Sequence, residues 1–230
     1  PNDFAGKYVL AGGVLALRND NNDGLTSRIG ADPGTPVPDY FTMAGGTMAT
    51  SAAGSMVMDS DRGMTVTANS GIRVNGPTST QTVMSFNGTI TGASNVTMTK
   101  DGIGIFAVFS DNAETYQGNW KVDSGSLRAN APSGAPFGTG TITLNGAALS
   151  FTPSNAFGTV NMAVGSLVAN EGSIVNLAKG DGVFMDVTAG TLVRGARSTI
   201  LIQASNGIQA GVGLGSAERL LVTGGVTTVN

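Results

Sequence analysis

The chain contains no cysteine and no histidine. These two absences remove thiol nucleophiles, the common zinc centres, haem ligation and every triad with an imidazole base, because each needs a soft or imidazole group. Charge is scarce too: 12% of the 230 residues are Asp, Glu, Lys or Arg, and the formal net charge is -3. Without clustered cations to release counterions from a phosphate backbone, nucleic acid is not an expected partner. No apolar run approaches the ~18 residues needed to span a bilayer, so membrane insertion by this segment is not expected either. The longest such run, Ile103 to Phe109, reads as a buried strand. Absence of cysteine is silent on compartment, since disulfides are permitted outside the cell and not required there.

Glycine is what the chain has in abundance, 35 residues of it, with 40% hydrophobic content to build a core. One glycine every six or seven residues would cost a helix ~1 kcal/mol each time. Apolar residues instead alternate with Thr, Ser or Asn, as in Met64-Thr65-Val66-Thr67, Val96-Thr97-Met98-Thr99 and Thr141-Ile142-Thr143-Leu144. That is the period-two pattern of half-buried strands. The chain is expected to be all-β.

A short phrase recurs: Gly13-Val14-Leu15-Ala16-Leu17, Gly125-Ser126-Leu127-Arg128-Ala129-Asn130, Gly165-Ser166-Leu167-Val168-Ala169-Asn170 and Gly190-Thr191-Leu192-Val193-Arg194, with looser copies at Gly46 and Gly146. Leu127, Leu149, Leu167 and Leu192 follow one another at a solenoid-like interval and are expected to mark successive coils. A second phrase lies between them, at Gly140-Thr141-Ile142, Gly158-Thr159-Val160 and Gly172-Ser173-Ile174. Two or three short strands per turn, each sending alternate side chains inward, describe a parallel β-helix. Ten or so coils would give a rod about 50 Å long. A β-sandwich shares the short strands and glycine turns, but offers no reason for a phrase to return at a coil-like interval.

The rod is read as one elongated domain over residues 1–230, with an insertion at 19–40, where Pro33, Pro36 and Pro38 follow a polar run, and a shorter loop at 131–136. The chain opens at Pro1 without a signal-like segment and closes on the strand-like Val226 to Val229, so it reads as a piece of something longer. Neither terminus shows a polar cap, and open strand edges at both ends predict end-to-end self-association or continuation into further repeats.

Several residues are candidates for chemistry, each beside a plainer role. Asp59 and Asp61 in Asp59-Ser60-Asp61-Arg62 would point the same way on one extended strand and could share a cation or do acid and base work. A solvated corner explains them equally. Asp181, Asp186, Arg194 and Arg197 fall in neighbouring coils and either converge or are scattered surface charges. Asn19, Asn21 and Asp23 follow part of an oxygen-rich calcium loop with Gly24 at its turn, although Gly30 stands where a bidentate Glu should close it. Asn and Asp also favour such turns without any metal. Asn130, Asn145, Asn170 and Asn176 are expected to stack into structural amide ladders. Trp120, Tyr116 and Tyr8 are either a platform for sugars or, better, interior packing.

One stretch carries a family resemblance. It runs from Gly88-Thr89-Ile90-Thr91-Gly92 through Val96-Thr97-Met98-Thr99-Lys100-Asp101-Gly102 and Tyr116-Gln117-Gly118 to Gly125-Ser126-Leu127-Arg128 and Phe137-Gly138-Thr139-Gly140-Thr141-Ile142. These residues resemble the autotransporter-associated β-strand repeat, with a degenerate copy at residues 2–15 and a departure at Asn119-Trp120-Lys121. The resemblance implies a right-handed parallel β-helix in a large secreted or surface-displayed bacterial protein, and it carries no catalytic residues to transfer. The expected function is a non-enzymatic extracellular stalk, adhesive scaffold or filament unit, with surface glycans as possible ligands and no cofactor beyond the calcium candidate. The alternative is a carbohydrate-active β-helix enzyme, a polysaccharide lyase or hydrolase, or a glycan-binding phage-type fibre.

Overall fold

The structure, a computed structural model, describes residues 6–17, 29–50, 55–76, 82–154, 158–179, 184–204 and 217–228. Among these residues there are strands and no helix. A first face carries β1 (Tyr8–Leu10), β3 (Val37–Met43), β6 (Arg62–Val66) and β9 (Ile90–Gly92). A second carries β2 (Val14–Leu17), β4 (Thr47–Thr50), β7 (Ser70–Arg73), β10 (Thr97–Asp101), β12 (Asn119–Val122), β14 (Thr141–Asn145), β16 (Thr159–Asn170), β18 (Phe184–Arg194) and β20 (Glu218–Val222), with β21 (Val226–Thr228) also on β18. The third carries β5 (Met56–Met58), β8 (Val83–Phe86), β11 (Ile105–Val108), β13 (Ser126–Ala129), β15 (Ala148–Phe151), β17 (Gly172–Leu177) and β19 (Thr199–Ala204). Every pairing is parallel and joins a strand to one a coil away. This is a parallel β-solenoid; a sandwich would be antiparallel.

Among the described residues the second face stacks nine strands along its path, which span roughly 40 Å at ~4.8 Å per rung. Bonds between coils give the turn length directly. Thr141 and Asn119 are 22 residues apart, Asn170 and Asn145 25, Asp101 and Arg73 28, and Arg219 and Asp186 33.

Alternation does the folding work. In β10, Met98 and Lys100 point in and Thr97 and Thr99 point out. Met98 then stacks on Trp120, and Trp120 on Ile142, because parallel pairing puts an inward residue over an inward residue. Several of the largest buried side chains form a run of rings through the interior. Phe86 to Phe106, Phe106 to Trp120, Trp120 to Phe137 and Phe137 to Phe151 lie 6.2, 5.9, 6.3 and 6.2 Å apart between centroids, and Trp120 Nε1 donates to the Phe137 carbonyl at 3.1 Å. Rings at these separations and tilts gain ~1 kcal/mol per pair beyond burial.

The structure corrects three sequence expectations. The recurring glycine phrase does not mark one face. Leu127 stacks on Leu149 in the third face and Leu167 on Leu192 in the second, while Leu149 stacks on Val175 and Ile142 on Leu167. Strand β3 begins at Val37, so the last positions of the expected 19–40 insertion belong to a strand, with a register shift between Val37 and Phe41 that accommodates Pro38. Residues 29–36 form a loop before it, and residues 18–28 lie outside the described residues. The apolar run from Ile103 is buried only from Gly104 to Val108. Ile103 sits exposed in the bend after Gly102, and Phe109 is half-buried. Residues 131–136 lie between β13 and β14, and Gly134 bridges to Met162 in β16.

One corner carries glycine on five successive rungs. Gly118, Gly140, Gly165, Gly190 and Gly224 lie above one another, and a Cβ on any of the last four would overlap the backbone oxygen of the glycine one coil before. From β16 onward this corner flattens, so that one strand of 12 residues serves both the first and the second face. Gly140→Ala, although it would stiffen the unfolded chain, is expected to destabilise by about 1–3 kcal/mol through this overlap. Gly12→Ala, with open space around it, should be neutral or stabilise by about 0.4–1 kcal/mol. Urea unfolding of the two variants checks the sign; equal effects would contradict the close-approach account.

Candidate functional site

Asp59 and Asp61 do come together, but not by lying on one extended strand. They occupy the turn between β5 and β6, where the Asp61 amide donates to Asp59 Oδ1 at 2.8 Å and the Arg62 amide to the Asp59 carbonyl at 3.2 Å. The loop before β3 adds a third carboxylate, Asp32, which the sequence reading missed. Carboxylate oxygens of Asp32, Asp59 and Asp61 lie within 4.8 Å of one another. Burial, then the charges of Asp59 and Asp32, raise the pKa of Asp61 above its ordinary value. The cationic neighbour Arg62 does not neutralise the group at its own corner. Its side chain turns inside, donating to the Gly30 carbonyl at 3.0 Å and lying 5.1 Å over the Tyr40 ring. The corner thus presents an oxygen-rich anionic surface of the kind hard divalent cations take. Two of its carboxylates already accept backbone amides, Asp59 from Asp61 and Asp32 from Gly34 at 3.2 Å.

The other candidates resolve one by one. Asn19, Asn21 and Asp23 lie outside the described residues, as does Asp181. Asp186, Arg194 and Arg197 do not converge. Asp186 pairs with Arg219 one coil on, Arg194 donates to the Ser198 carbonyl at 2.6 Å, and Arg197 takes φ 54° in the next corner. Trp120 and Tyr116 are core residues, 1% and 0% exposed, so neither is a sugar platform. Tyr8 stacks on Phe41 at 5.5 Å and bonds the Ile29 carbonyl together with Tyr40.

The asparagines form ladders, but two of them. Asn170 Nδ2 donates to Asn145 Oδ1 at 3.0 Å and Asn145 Nδ2 to Asp123 Oδ1 at 2.6 Å, one step per coil on the second face. Burial raises the Asp123 pKa, yet the bonds from Asn145 and Lys121 outweigh it and hold the carboxyl below its ordinary value. On the third face Gln203, Asn176, Ser150 and Ser126 form the second chain. Asn130 joins neither and donates to the Thr152 carbonyl at 2.8 Å.

Two buried polar residues escaped the sequence reading. Asn112, fully buried, accepts from the Ile90 amide at 2.8 Å and donates to the Pro136 carbonyl at 2.7 Å, clasping the coils on either side of its own. Lys100 occupies an inward position between Ile72 and Val122. Its ammonium reaches the corner and donates to the carbonyls of Gly102, Gly104 and Ser124 at 2.5, 2.7 and 2.8 Å, one bond for each of its three hydrogens. Burial pushes its pKa down to about 8, against the opposing pull of Asp101. The alternation Met98-Thr99-Lys100 held the signal for this inward placement.

On the outer second face there is a shallow cavity of about 250 Å³, lined by Gly45, Thr47, Asn69, Gly71, Thr99 and Asp101, with Ser70 beneath. Asp101 is held by Arg73, whose Nε and Nη2 donate to its carboxylate at 2.8 to 3.1 Å.

Comparison with known proteins adds a relative. In an alignment 238 positions long that covers 99% of its length, the chain is 31% identical to the "Adhesin BmaC autotransporter" of Brucella suis biovar 1 (strain 1330). The chain spans 6% of that protein's length. No family model matches the chain, and no solved structure does.

Two predictions test the polar geometry. Lys100→Met strands three carbonyls and should lower stability by about 1–3 kcal/mol. In the parent chain the folded amine gives up its proton near pH 8 while the unfolded one holds it to about 10.4, so the contribution of Lys100 to stability rises between those values. Denaturation at pH 7.5, 9 and 10 should show this rise, and the Met variant should lack it. At the acidic corner, Asp61→Asn relieves repulsion among ionised carboxylates. It should raise the unfolding temperature at neutral pH in low salt, with the gain shrinking as salt is added; a fall in unfolding temperature would contradict the repulsion.

Proposed function

We propose that this chain is a non-enzymatic segment of a bacterial surface protein, a rigid solenoid that carries an adhesive surface. The observation behind this reading is that the similarity to a named autotransporter adhesin runs over 99% of the chain, across every coil and not one patch of it. The repeat resemblance of residues 88–142 supports the same family of scaffolds, displayed outside the cell. At the last described rungs the core-facing Ile200, Ile202, Leu220 and Val222 are only partly buried. Apolar side chains in that position are satisfied by one more rung, from further repeats or from a second copy stacked end to end.

The acidic corner of Asp32, Asp59 and Asp61 favours a second reading, a carbohydrate-active β-helix enzyme working on acidic polysaccharide. Beads coated with the purified chain decide between them. They are expected to attach to cultured epithelial cells in greater number than albumin-coated beads, with free chain competing. No attachment above albumin rejects the adhesive role. Turnover of an acidic polysaccharide that disappears in the Asp59→Ala, Asp61→Ala double variant installs the enzyme reading in its place.

A further inference from the structure

The cavity on the second face is a consequence of one missing side chain. Thr47, Gly71 and Thr99 are in register on successive rungs and point outward, and the same column continues through Lys121 and Thr143 to Val168 and Val193. Gly71 is the single position of that run without a side chain, so the surface dips there between two threonines. The dip is compact: about 250 Å³, against the 300–1,000 Å³ of pockets that hold drug-sized molecules.

Its lining offers hydrogen-bonding groups rather than apolar surface. Among the described residues neither the Thr47 nor the Thr99 hydroxyl has a protein partner, whereas Thr65, Thr67 and Thr115 on the first face each donate to a carbonyl of the preceding coil. Asn69 uses its oxygen to accept from the Thr97 amide at 2.8 Å, which leaves its amide nitrogen as a donor. Oδ2 of Asp101 accepts two bonds from Arg73, while Oδ1 accepts one and keeps a further lone pair. The Asp101 charge is balanced by Arg73, so the dip favours a neutral ligand. All these groups stand on paired strands or in the corners that join them, and are pre-positioned by the coil stack.

We propose that this dip is a binding subsite for one neutral pyranose ring, presented as the terminal residue of a surface glycan. Adjacent hydroxyls of the ring meet Asp101 and Asn69, and the threonine hydroxyls serve as donors or acceptors to its remaining oxygens. No aromatic ring lines the dip, so recognition rests on hydrogen bonds alone and the affinity for a single sugar is of the order of millimolar. Copies of the chain side by side on one surface would raise that by multivalency. The subsite rests on the adhesive reading and gives it a ligand class.

The test uses saturation-transfer NMR on the full chain with methyl glycosides of glucose, galactose, mannose and N-acetylglucosamine. At least one is expected to receive saturation from the protein. Thr47→Val with Thr99→Val removes two hydroxyls at constant shape and should weaken that binding about tenfold. Gly71→Ala, which fills the floor and needs only Thr47 to rotate, should abolish it. Unchanged circular dichroism and melting confirm that the valine variants fold. No transfer to any of the four sugars overturns the subsite, as does binding that is equal in all variants. Glycan-coated beads are then compared with free sugar: retention on the glycan alone points to a linked residue, and equal competition by free sugar to the monosaccharide as ligand. Cell attachment that persists in the variants sinks the subsite and leaves the adhesive reading standing.

Discussion

Vertical register is the constraint on which the structure depends. Each strand bonds to the strand one coil away, so whatever side chain points inward must fit directly above and below its counterparts. This explains why Met98, Trp120 and Ile142 form a column, whereas the rings of Phe86, Phe106, Trp120, Phe137 and Phe151 come from different columns and faces and meet across the interior. It explains the polar interior as well. Lys100 can replace an aliphatic residue in such a column because a corner with three converging carbonyls lies within reach of its ammonium. Outward positions obey the same register with a different currency, amide to amide, as in Asn170, Asn145 and Asp123.

Much of this was legible in the sequence, and the boundary is physical. Alternation in Met64 to Val66 or Thr141 to Leu144 announces strands, and the return of a glycine-led phrase announces a solenoid. The recurring phrase misled because every corner obeys the same local rule. A glycine followed by an inward leucine is written identically on the second and third faces, so Leu149 and Leu167 looked like stacked partners and lie on different faces. Asp32 was invisible for a related reason. It reaches Asp59 and Asp61 from a loop one coil earlier, and nothing local to it records that approach. Lys100 was legible and overlooked: its parity with Met98 places it inside.

Function is freer of the register than the core is. The outer second face tolerates Thr, Gly, Lys and Val at a single column position from rung to rung, since none of these side chains supports the coil above. A scaffold of this kind separates two demands. Inward residues maintain the stack, and outward residues can be exchanged to suit a ligand without disturbing it.

The bonds that join the rungs run parallel to the long direction of the molecule. A pull applied at the two ends therefore loads them one layer at a time, like the teeth of a zip, and not all together in shear. Each released layer pays out 22 to 33 residues of slack before the next is stressed. The terminal layers, with core-facing side chains only partly covered, yield first, and those carrying the stacked rings yield last. A stack of coils loaded this way lengthens in graded steps, layer by layer, and not as one unit.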